Sequence, residues 1–212
     1  MKYKAVLFDM DGTTSDTIQG LTDAANYVLK KHGYEEISTD FGKTILGYGA
    51  KFFISHALPK GADVDVVLDE YLPYYNLHCV DSAKPFEGII ELLEKLRANG
   101  VKTAIISNKP DEATKQISKK EFGDLVEFAV GESASIKKKP DPSAVNAAIN
   151  EFKLNKEECV YIGDTEVDIE TAKNAGIDCI AVLWGFRTKE QLIKAGAEVF
   201  ASNCEDLYNL LT

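Results

Sequence analysis

Carboxylates, a hydroxyl and a lysine follow four short apolar runs that lie far apart in this sequence. The segments are residues 9–13, 107–109, 139–140 and 163–168. Singly, most of them are weak signals, but their order, their spacing and their shared position at the ends of predicted strands make them a set. A carboxylate nucleophile, phosphate-binding groups and carboxylates for a hard cation are what chemistry through an aspartyl-phosphate requires.

The first segment holds two aspartates. Asp9 directly follows the apolar run 5–8, so its carboxylate can serve as the nucleophile. Asp11 lies in a turn opened by Gly12, and it can act as general acid and then as base if its carbonyl faces a metal and its carboxylate faces the leaving group. An aspartate at a strand end is also a common turn or helix cap, so these two residues alone leave both interpretations open.

The second and third segments supply candidate phosphate ligands. Ser107 follows the apolar run 104–106, which places its hydroxyl and the next backbone amides at the sheet edge where open α/β sheets bind ligands. Read alone, the pair Ser107 and Asn108 would more often be a helix cap. Lys139 ends a run of three lysines that would normally be a solvated loop, but the prolines at 140 and 142 stiffen the segment and can aim one ammonium inward.

The fourth segment places two carboxylates one helical turn apart. Asp164 follows the apolar run 160–162 and suits Mg²⁺, which takes one or two protein carboxylates together with phosphate and water. Asp168 fits better as a partner of Lys139 than as a direct ligand. Helix capping by the same residues is compatible with both roles.

These four motifs resemble those of the haloacid dehalogenase superfamily, in the branch of phosphatases that carry a small helical cap, and the match covers nearly the whole chain. Residues 107–110 and 139–142 are most similar to phosphoglycolate phosphatase-like enzymes. The resemblance implies Mg²⁺ as cofactor and a phosphoaspartate intermediate, with Asp9 as nucleophile and Asp11 as acid and base. Two aspartates in the first motif favour phosphate transfer over dehalogenation.

The remaining site assignments follow from the same resemblance and motifs. We assign phosphate binding to Gly12, Ser107, Asn108 and Lys139. We assign Mg²⁺ binding to Asp9, the carbonyl of Asp11, and Asp164, with Asp168 behind Lys139 in the second layer. Gly47 and Gly49 are candidates for substrate specificity, since they can let backbone amides approach a substrate, although they can also simply break a helix. Lys51 beside them is a further candidate for substrate specificity.

Short apolar runs alternate with helical patterns, which predicts an α/β fold with a doubly wound parallel sheet. The candidate strands are residues 5–8, 103–106, 128–130, 160–162, 180–183 and 199–201. The interval 16–83 carries helical patterns but no convincing strand, so we predict a helical cap there and a catalytic core of residues 1–15 and 84–212. Hinges are expected near 14–17 and 81–85. Pro73 is expected to kink or divide the helix predicted at 64–78.

Composition argues against several classes of partner. The formal net charge is −10, so nothing favours binding to a nucleic acid polymer or an anionic membrane. No apolar stretch is long enough to span a bilayer, and no signal peptide is apparent, so we expect a cytoplasmic protein. The four cysteines lack metal-finger or C-x-x-C spacing, which is typical of reduced structural thiols. We expect a monomer or a weak homodimer.

The sequence therefore predicts a Mg²⁺-dependent phosphomonoester hydrolase that acts on a small phosphorylated metabolite. Three alternatives stay open: a sugar-phosphate mutase, a pyrophosphatase or 5′-nucleotidase on the same scaffold, and a binding protein without turnover. The mutase is disfavoured because residues 47–55 contain no arginine for a sugar-phosphate clamp. The binding protein is disfavoured because no catalytic position is lost.

Overall fold

The predicted strands form one six-stranded sheet in the computed structural model, which describes all 212 residues. In chain order the strands are β1 (Ala5–Phe8), β2 (Ser15–Asp16), β3 (Lys84–Pro85), β4 (Lys102–Pro110), β5 (Phe128–Glu132), β6 (Cys159–Gly163), β7 (Asp178–Val182) and β8 (Phe200–Ala201). The sheet has the order β5-β4-β1-β6-β7-β8, and every neighbouring pair is parallel. The predicted fold class is thereby confirmed.

Ten helices surround the sheet. They are α1 (Ile18–Lys31), α2 (Thr39–Thr44), α3 (Ala50–Ala57), α4 (Val64–His78), α5 (Ile89–Ala98), α6 (Asp111–Phe122), α7 (Ser143–Phe152), α8 (Glu166–Ala175), α9 (Lys189–Lys194) and α10 (Cys204–Leu211). Short 3-10 turns lie at Gly123–Leu125 and Lys156–Glu158. The first four helices lie between β2 and β3. None of the ten combines the length and the apolar character that crossing a membrane would require.

Strand β1 shows why the sheet is covered on both faces. Alternate side chains of a strand point to opposite faces. Val6 and Phe8 belong to one buried cluster, which also takes in the apolar faces of α5 and α10. Ala5 and Leu7 belong to a second cluster, with the apolar faces of α7 and α8. An apolar run with no polar alternation is therefore what this central strand requires.

A short antiparallel ribbon joins the helical interval to the rest of the chain. In it Ser15 pairs with Pro85 and Asp16 pairs with Lys84. The ribbon coincides with the two expected hinges, but the sequence did not predict it, because strands of two residues carry no periodicity. The hydroxyl of Ser15 donates to Glu121 Oε2 at 2.5 Å, which ties the ribbon to α6. The division of the chain into a core and a cap stays a prediction.

Strand β4 is longer than predicted. Ser107, Asn108 and Lys109 were expected just beyond the strand, yet they lie within it, with a shift in register against β5 between Ile106 and Pro110. All three polar side chains are buried. In a sequence, polar residues mark the end of an apolar run. In this structure they continue the strand, because their side chains form hydrogen bonds at the site beyond it.

Helix α4 contradicts the expectation that Pro73 divides this segment. The helix runs unbroken from Val64 to His78 with Pro73 inside it and exposed. Val67, Tyr71 and Tyr75, spaced four residues apart, are almost completely buried on the opposite side. Packing of such a face supplies most of the stability of a helix in a protein and outweighs one missing backbone hydrogen bond.

We expect Pro73→Ala to raise the free energy of unfolding by about 1–2 kcal/mol, because alanine restores the missing N–H and removes the ring. Urea denaturation followed by circular dichroism would measure the change. Leu77→Ala, at another exposed position of α4, is the control and should shift stability by less than about 0.5 kcal/mol. A destabilised Pro73→Ala protein would contradict the prediction.

Candidate active site

A buried lysine joins two carboxylates at the carboxyl ends of the central strands. Lys139 Nζ lies 2.8 Å from Asp9 Oδ1 and 2.7 Å from Asp168 Oδ1. It also donates to the hydroxyl of Tyr161 at 3.2 Å. Burial lowers the pKa of Lys139, but the charges of Asp168 and Asp9 outweigh it and hold that pKa well above its ordinary value. Lys139 therefore stays a cation at this position.

Asp168 is held on both of its oxygens. Oδ1 accepts from the ammonium of Lys139. Oδ2 accepts from the backbone N–H of Asp164 at 3.2 Å, the N–H of Thr165 at 3.0 Å and the hydroxyl of Thr165 at 2.7 Å. Thr165 and Asp168 thereby form a capping box at the start of α8. Both oxygens of Asp168 therefore have protein partners, and its role behind Lys139 stays a prediction.

Three buried carboxylates crowd this edge of the sheet. Oxygens of Asp9, Asp164 and Asp168 all lie within 4.8 Å of one another. Burial first, and then the charge of Asp168, raise the pKa of Asp164 to about 7. The same two causes raise the pKa of Asp9 well above its ordinary value, although Lys139 opposes them. Three carboxylates around one ammonium leave an excess of negative charge, which suits a hard divalent cation.

Gly12 lets the chain turn close to Asp164. Its φ is +84°, a conformation that residues with a Cβ rarely adopt. A Cβ on Gly12 would lie only 2.4 Å from Asp164 Oδ2. That oxygen accepts from the N–H of Phe186 at 2.8 Å, and Oδ1 accepts from the hydroxyl of Thr13 at 2.9 Å. The glycine is thus required by the packing around Asp164, and a role in phosphate binding stays a prediction.

The side chains of Ser107 and Asn108 differ in which of their hydrogen-bonding groups have a protein partner. The Ser107 oxygen accepts from the N–H of Lys109 at 3.2 Å, and its own hydrogen has no protein acceptor. The Asn108 amide group donates at 2.9 Å to the carbonyls of Gly47 and Lys139 and accepts from the N–H of Lys139 at 2.6 Å. The side chain of Asn108 is therefore occupied as a link to Gly47, and only its backbone N–H fits the predicted role.

Lys109 is a buried partner of Asp11 that sequence reasoning missed. Its Nζ lies 2.9 Å from Asp11 Oδ1, and it donates to the hydroxyl of Tyr75, whose ring centroid is 4.8 Å away. Thr17 donates to the same oxygen of Asp11. The only signal for it in the sequence was its place in the segment 107–109, just after a predicted strand. Since Tyr75 belongs to α4, this pair connects the helical interval with Asp11.

These residues surround a narrow cavity of about 30 Å³, which is room for one or two water molecules. Asp9, Asp11, Ser107 and Lys139 line it on the side of the sheet. The opposite wall comes from α1 to α4 and their loops, namely Leu21, Leu46, Gly47, Gly49, Ala50, Phe53 and Tyr71. The helical interval thus covers the cavity on the side away from the sheet.

Two of the three candidate specificity positions reach the cavity. Gly47 and Gly49 line it, and a Cβ on Gly49 would lie 2.7 Å from Glu132 Oε2. Lys51 does not reach it: its Nζ pairs with Asp65 at 2.7 Å, and both side chains are exposed. Ala50 and Phe53 are the residues of α3 that line the cavity, and the assignment of Lys51 to substrate specificity stays a prediction.

Arg187, which the sequence did not single out, fastens the wall to the sheet. Its guanidinium pairs with Glu166 at 2.8 and 3.2 Å and donates at 2.9 Å to the carbonyls of Lys43 and Leu46. The hydroxyl of Tyr48 also donates to Glu166, at 3.1 Å. A single arginine after a strand has no motif around it, so only the long-range contacts identify it.

The chain is similar to known phosphatases over almost its whole length. Residues 6–182 match the family model described as haloacid dehalogenase-like hydrolase. The chain is 32% identical to a phosphoglycolate phosphatase of Colwellia psychrerythraea, over 98% of this chain and 95% of that protein. It is 27% identical to an N-acetylmuramic acid 6-phosphate phosphatase of Pseudomonas aeruginosa, over 100% of this chain and 96% of that protein.

A solved structure supports the same relationship. A crystal structure from Lactobacillus delbrueckii subsp. bulgaricus, provisionally described as a phosphoglycolate phosphatase, superposes with a TM-score of 0.91 at 36% identity. The alignment covers 100% of this chain and 99% of that one. The family and the class of enzyme, a phosphatase of this superfamily, are thereby confirmed. With its matching core, its four motifs and their geometry, the chain belongs to the haloacid dehalogenase-like hydrolase family.

Proposed function

We propose that this chain hydrolyses a small phosphate monoester in a Mg²⁺-dependent reaction through an aspartyl-phosphate on Asp9. The arrangement of Asp9 carries the proposal. Its Oδ1 is held by Lys139 and by the N–H of Met10 at 2.7 Å, while no protein group contacts Oδ2. A carboxylate fixed through one oxygen, with the other free beside a cavity, is placed for nucleophilic attack.

In the first step Asp9 Oδ2 attacks phosphorus, and the bond from phosphorus to the ester oxygen breaks. The departing oxygen takes a proton from Asp11, whose Oδ1 is held by Lys109 and whose Oδ2 is free. The hydroxyl of Ser107 and the ammonium of Lys139 would bind the phosphoryl oxygens, together with the backbone N–H of Asn108. The N–H of Gly12 donates to the carbonyl of Ser15 at 3.1 Å in this structure, so phosphate would have to replace that bond to use it.

In the second step Asp11 removes a proton from water, and the water oxygen attacks phosphorus. The acyl phosphate bond then breaks, which releases inorganic phosphate and restores the carboxylate of Asp9. The closed wall excludes bulk water in the first step, and it must admit one water molecule for the second.

The carboxylate cluster fits the metal that the family implies. Asp9, the carbonyl of Asp11 and Asp164 would hold Mg²⁺, and Asp168 stays with Lys139. When bound, Mg²⁺ neutralises charge on the phosphoryl oxygens. Burial first, and then the charge of Asp168, raise the pKa values of Asp9 and Asp164, and a bound cation would offset both effects by favouring the carboxylates.

The phosphoglycolate phosphatases among the relatives suggest phosphoglycolate as the substrate. A pyrophosphatase is the second candidate, since a Caldanaerobacter subterraneus protein provisionally named as one is 31% identical over 100% of this chain. A mutase is disfavoured because the wall formed by α1 to α4 brings no arginine to the cavity.

We expect Asp9→Asn to lower kcat to below about 1% of wild type, because an amide is not a competent nucleophile. Phosphate release with Mg²⁺ from phosphoglycolate, other small esters, nucleotides and pyrophosphate would measure it. Asp65→Asn, at an exposed carboxylate, is the matched control and should keep full activity. Appreciable turnover by the Asp9→Asn protein would refute Asp9 as nucleophile. An isomeric sugar phosphate as product would identify a mutase.

Asp164→Asn should stabilise the metal-free protein at pH 8. Because folding raises the pKa of Asp164 from 3.8 to about 7, its carboxylate destabilises the fold increasingly as the pH rises between those values. An asparagine can still accept from Phe186 and donate to Thr13. We expect a gain on the order of 1 kcal/mol or more at pH 8, which shrinks towards pH 5.

Urea denaturation at both pH values, with and without Mg²⁺, would test this. Mg²⁺ should stabilise the wild type and leave the Asp164→Asn variant nearly unchanged, because binding to the folded state alone raises its stability. Equal stabilisation of both proteins by Mg²⁺ would show that the metal binds elsewhere.

Arg187→Met should weaken the closure of the wall, since it removes the bonds to Glu166 and to two carbonyls while keeping the aliphatic stem. We expect kcat/KM to fall by about tenfold and amide exchange to quicken in residues 43–49. Lys51→Met removes an exposed ion pair of α3 and is the control, with no expected change. Unchanged exchange in the Arg187→Met protein would mean that other contacts hold the wall.

A further inference from the structure

The hydroxyl of Tyr71 is a buried polar group that the proposed mechanism does not use. Tyr71 is completely buried in α4, and its hydroxyl has no hydrogen-bond partner in the protein. Five other buried side-chain atoms also lack a partner, but Tyr71 is the one among these residues that lines the catalytic cavity. Leaving a buried hydroxyl unpaired is unfavourable, so a ligand in the cavity is its natural partner.

The surroundings of Tyr71 indicate a ligand that accepts hydrogen bonds. The ammonium of Lys109, which also lines the cavity, has three hydrogens and gives two of them to Asp11 and Tyr75. Burial raises the pKa of Tyr71 well above its ordinary value, so the hydroxyl keeps its proton and can donate it. The hydroxyl of Tyr71 is therefore the donor without a partner at this end of the cavity, while the ammonium of Lys109 is engaged with Asp11 and Tyr75.

No other side chain of the opposite wall can take this role. Besides Tyr71, that wall presents only aliphatic and aromatic carbon and glycine backbone, from Leu21, Leu46, Gly47, Gly49, Ala50 and Phe53. On the side of the sheet, Asp9, Ser107 and Lys139 surround the position expected for the phosphoryl group. The leaving group must lie between that position and the apolar wall, where Tyr71 is the polar contact.

We infer that Tyr71 is a specificity-determining residue whose hydroxyl donates to an oxygen on the leaving group of the substrate. This inference rests on the proposed phosphatase function. The substrate class it defines is a small phosphate ester with an acceptor oxygen, from a carboxylate or a hydroxyl, on the carbon next to the ester carbon. An ester with only carbon there leaves the hydroxyl of Tyr71 unpaired and is a poorer substrate.

Three esters of matched size test the inference. These are 2-phosphoglycolate with a carboxylate, 2-hydroxyethyl phosphate with a hydroxyl, and ethyl phosphate with neither. We expect the wild type to prefer at least one oxygen-bearing ester over ethyl phosphate by about tenfold or more in kcat/KM. In Tyr71→Phe that preference should fall to within about twofold, while kcat/KM for ethyl phosphate stays nearly unchanged. The ester whose kcat/KM falls most in Tyr71→Phe identifies whether the acceptor is a carboxylate or a hydroxyl.

Tyr75→Phe is the matched control, one turn further along α4. Its hydroxyl bonds to Lys109 and does not line the cavity, so its loss should change the rates for all three esters by the same factor. Urea denaturation should show Tyr71→Phe to be at least as stable as the wild type, because it loses a hydroxyl that has no partner. A clear loss of stability would mean that the hydroxyl is satisfied in the free protein, and it would overturn the inference.

The outcomes separate this inference from the function on which it rests. Phosphate release by the wild type, with the same ester preference retained in Tyr71→Phe, overturns the inference alone and leaves the hydroxyl bound to water. An equal loss on all three esters also overturns it, since the hydroxyl would then act on the common phosphoryl group or on Asp11. Absence of release from every ester overturns both the inference and the proposed function.

Discussion

The ion pair of Lys139 with Asp9 and Asp168 is the interaction on which the rest of the site depends. It places a lysine from a loop against carboxylates from β1 and α8, all of them buried. One ammonium cannot balance Asp9, Asp168 and the neighbouring Asp164. Burial, and then the charge of Asp168, raise the pKa values of Asp9 and Asp164. The fold thus places an excess of negative charge where a divalent cation would compensate it.

Around this centre, the chain uses polar contacts to close a largely apolar wall. Arg187 and Asn108 extend from the sheet to backbone carbonyls in residues 43–47, and Lys109 meets Tyr75 from α4. Each contact crosses between the sheet side and the helical interval, so the shape of the cavity depends on contacts that opening would break. In the proposed mechanism, recognition of the leaving group and exclusion of water would therefore depend on the same contacts.

Much of the fold followed from the sequence because its signals are local. Strand β1 was predicted with the bounds it has, since an apolar run is a short-range pattern. The unbroken helix through Pro73 and the continuation of β4 through Ser107 were not predicted. In both places tertiary packing outweighed a local preference, which no short pattern contains.

The sequence by itself determined which groups meet at the carboxyl edge of the sheet, because parallel strands bring their ends to one side whatever their order. Only the tertiary structure decided that Lys51 lies on the surface and that the side chain of Asn108 donates to the carbonyl of Gly47. It also decided which further residues lie at the site, namely Lys109, Arg187 and Tyr71. Those outcomes depend on how helices rotate and dock against the sheet. Such long-range packing involves residues far apart in the chain, so spacing alone does not reveal it.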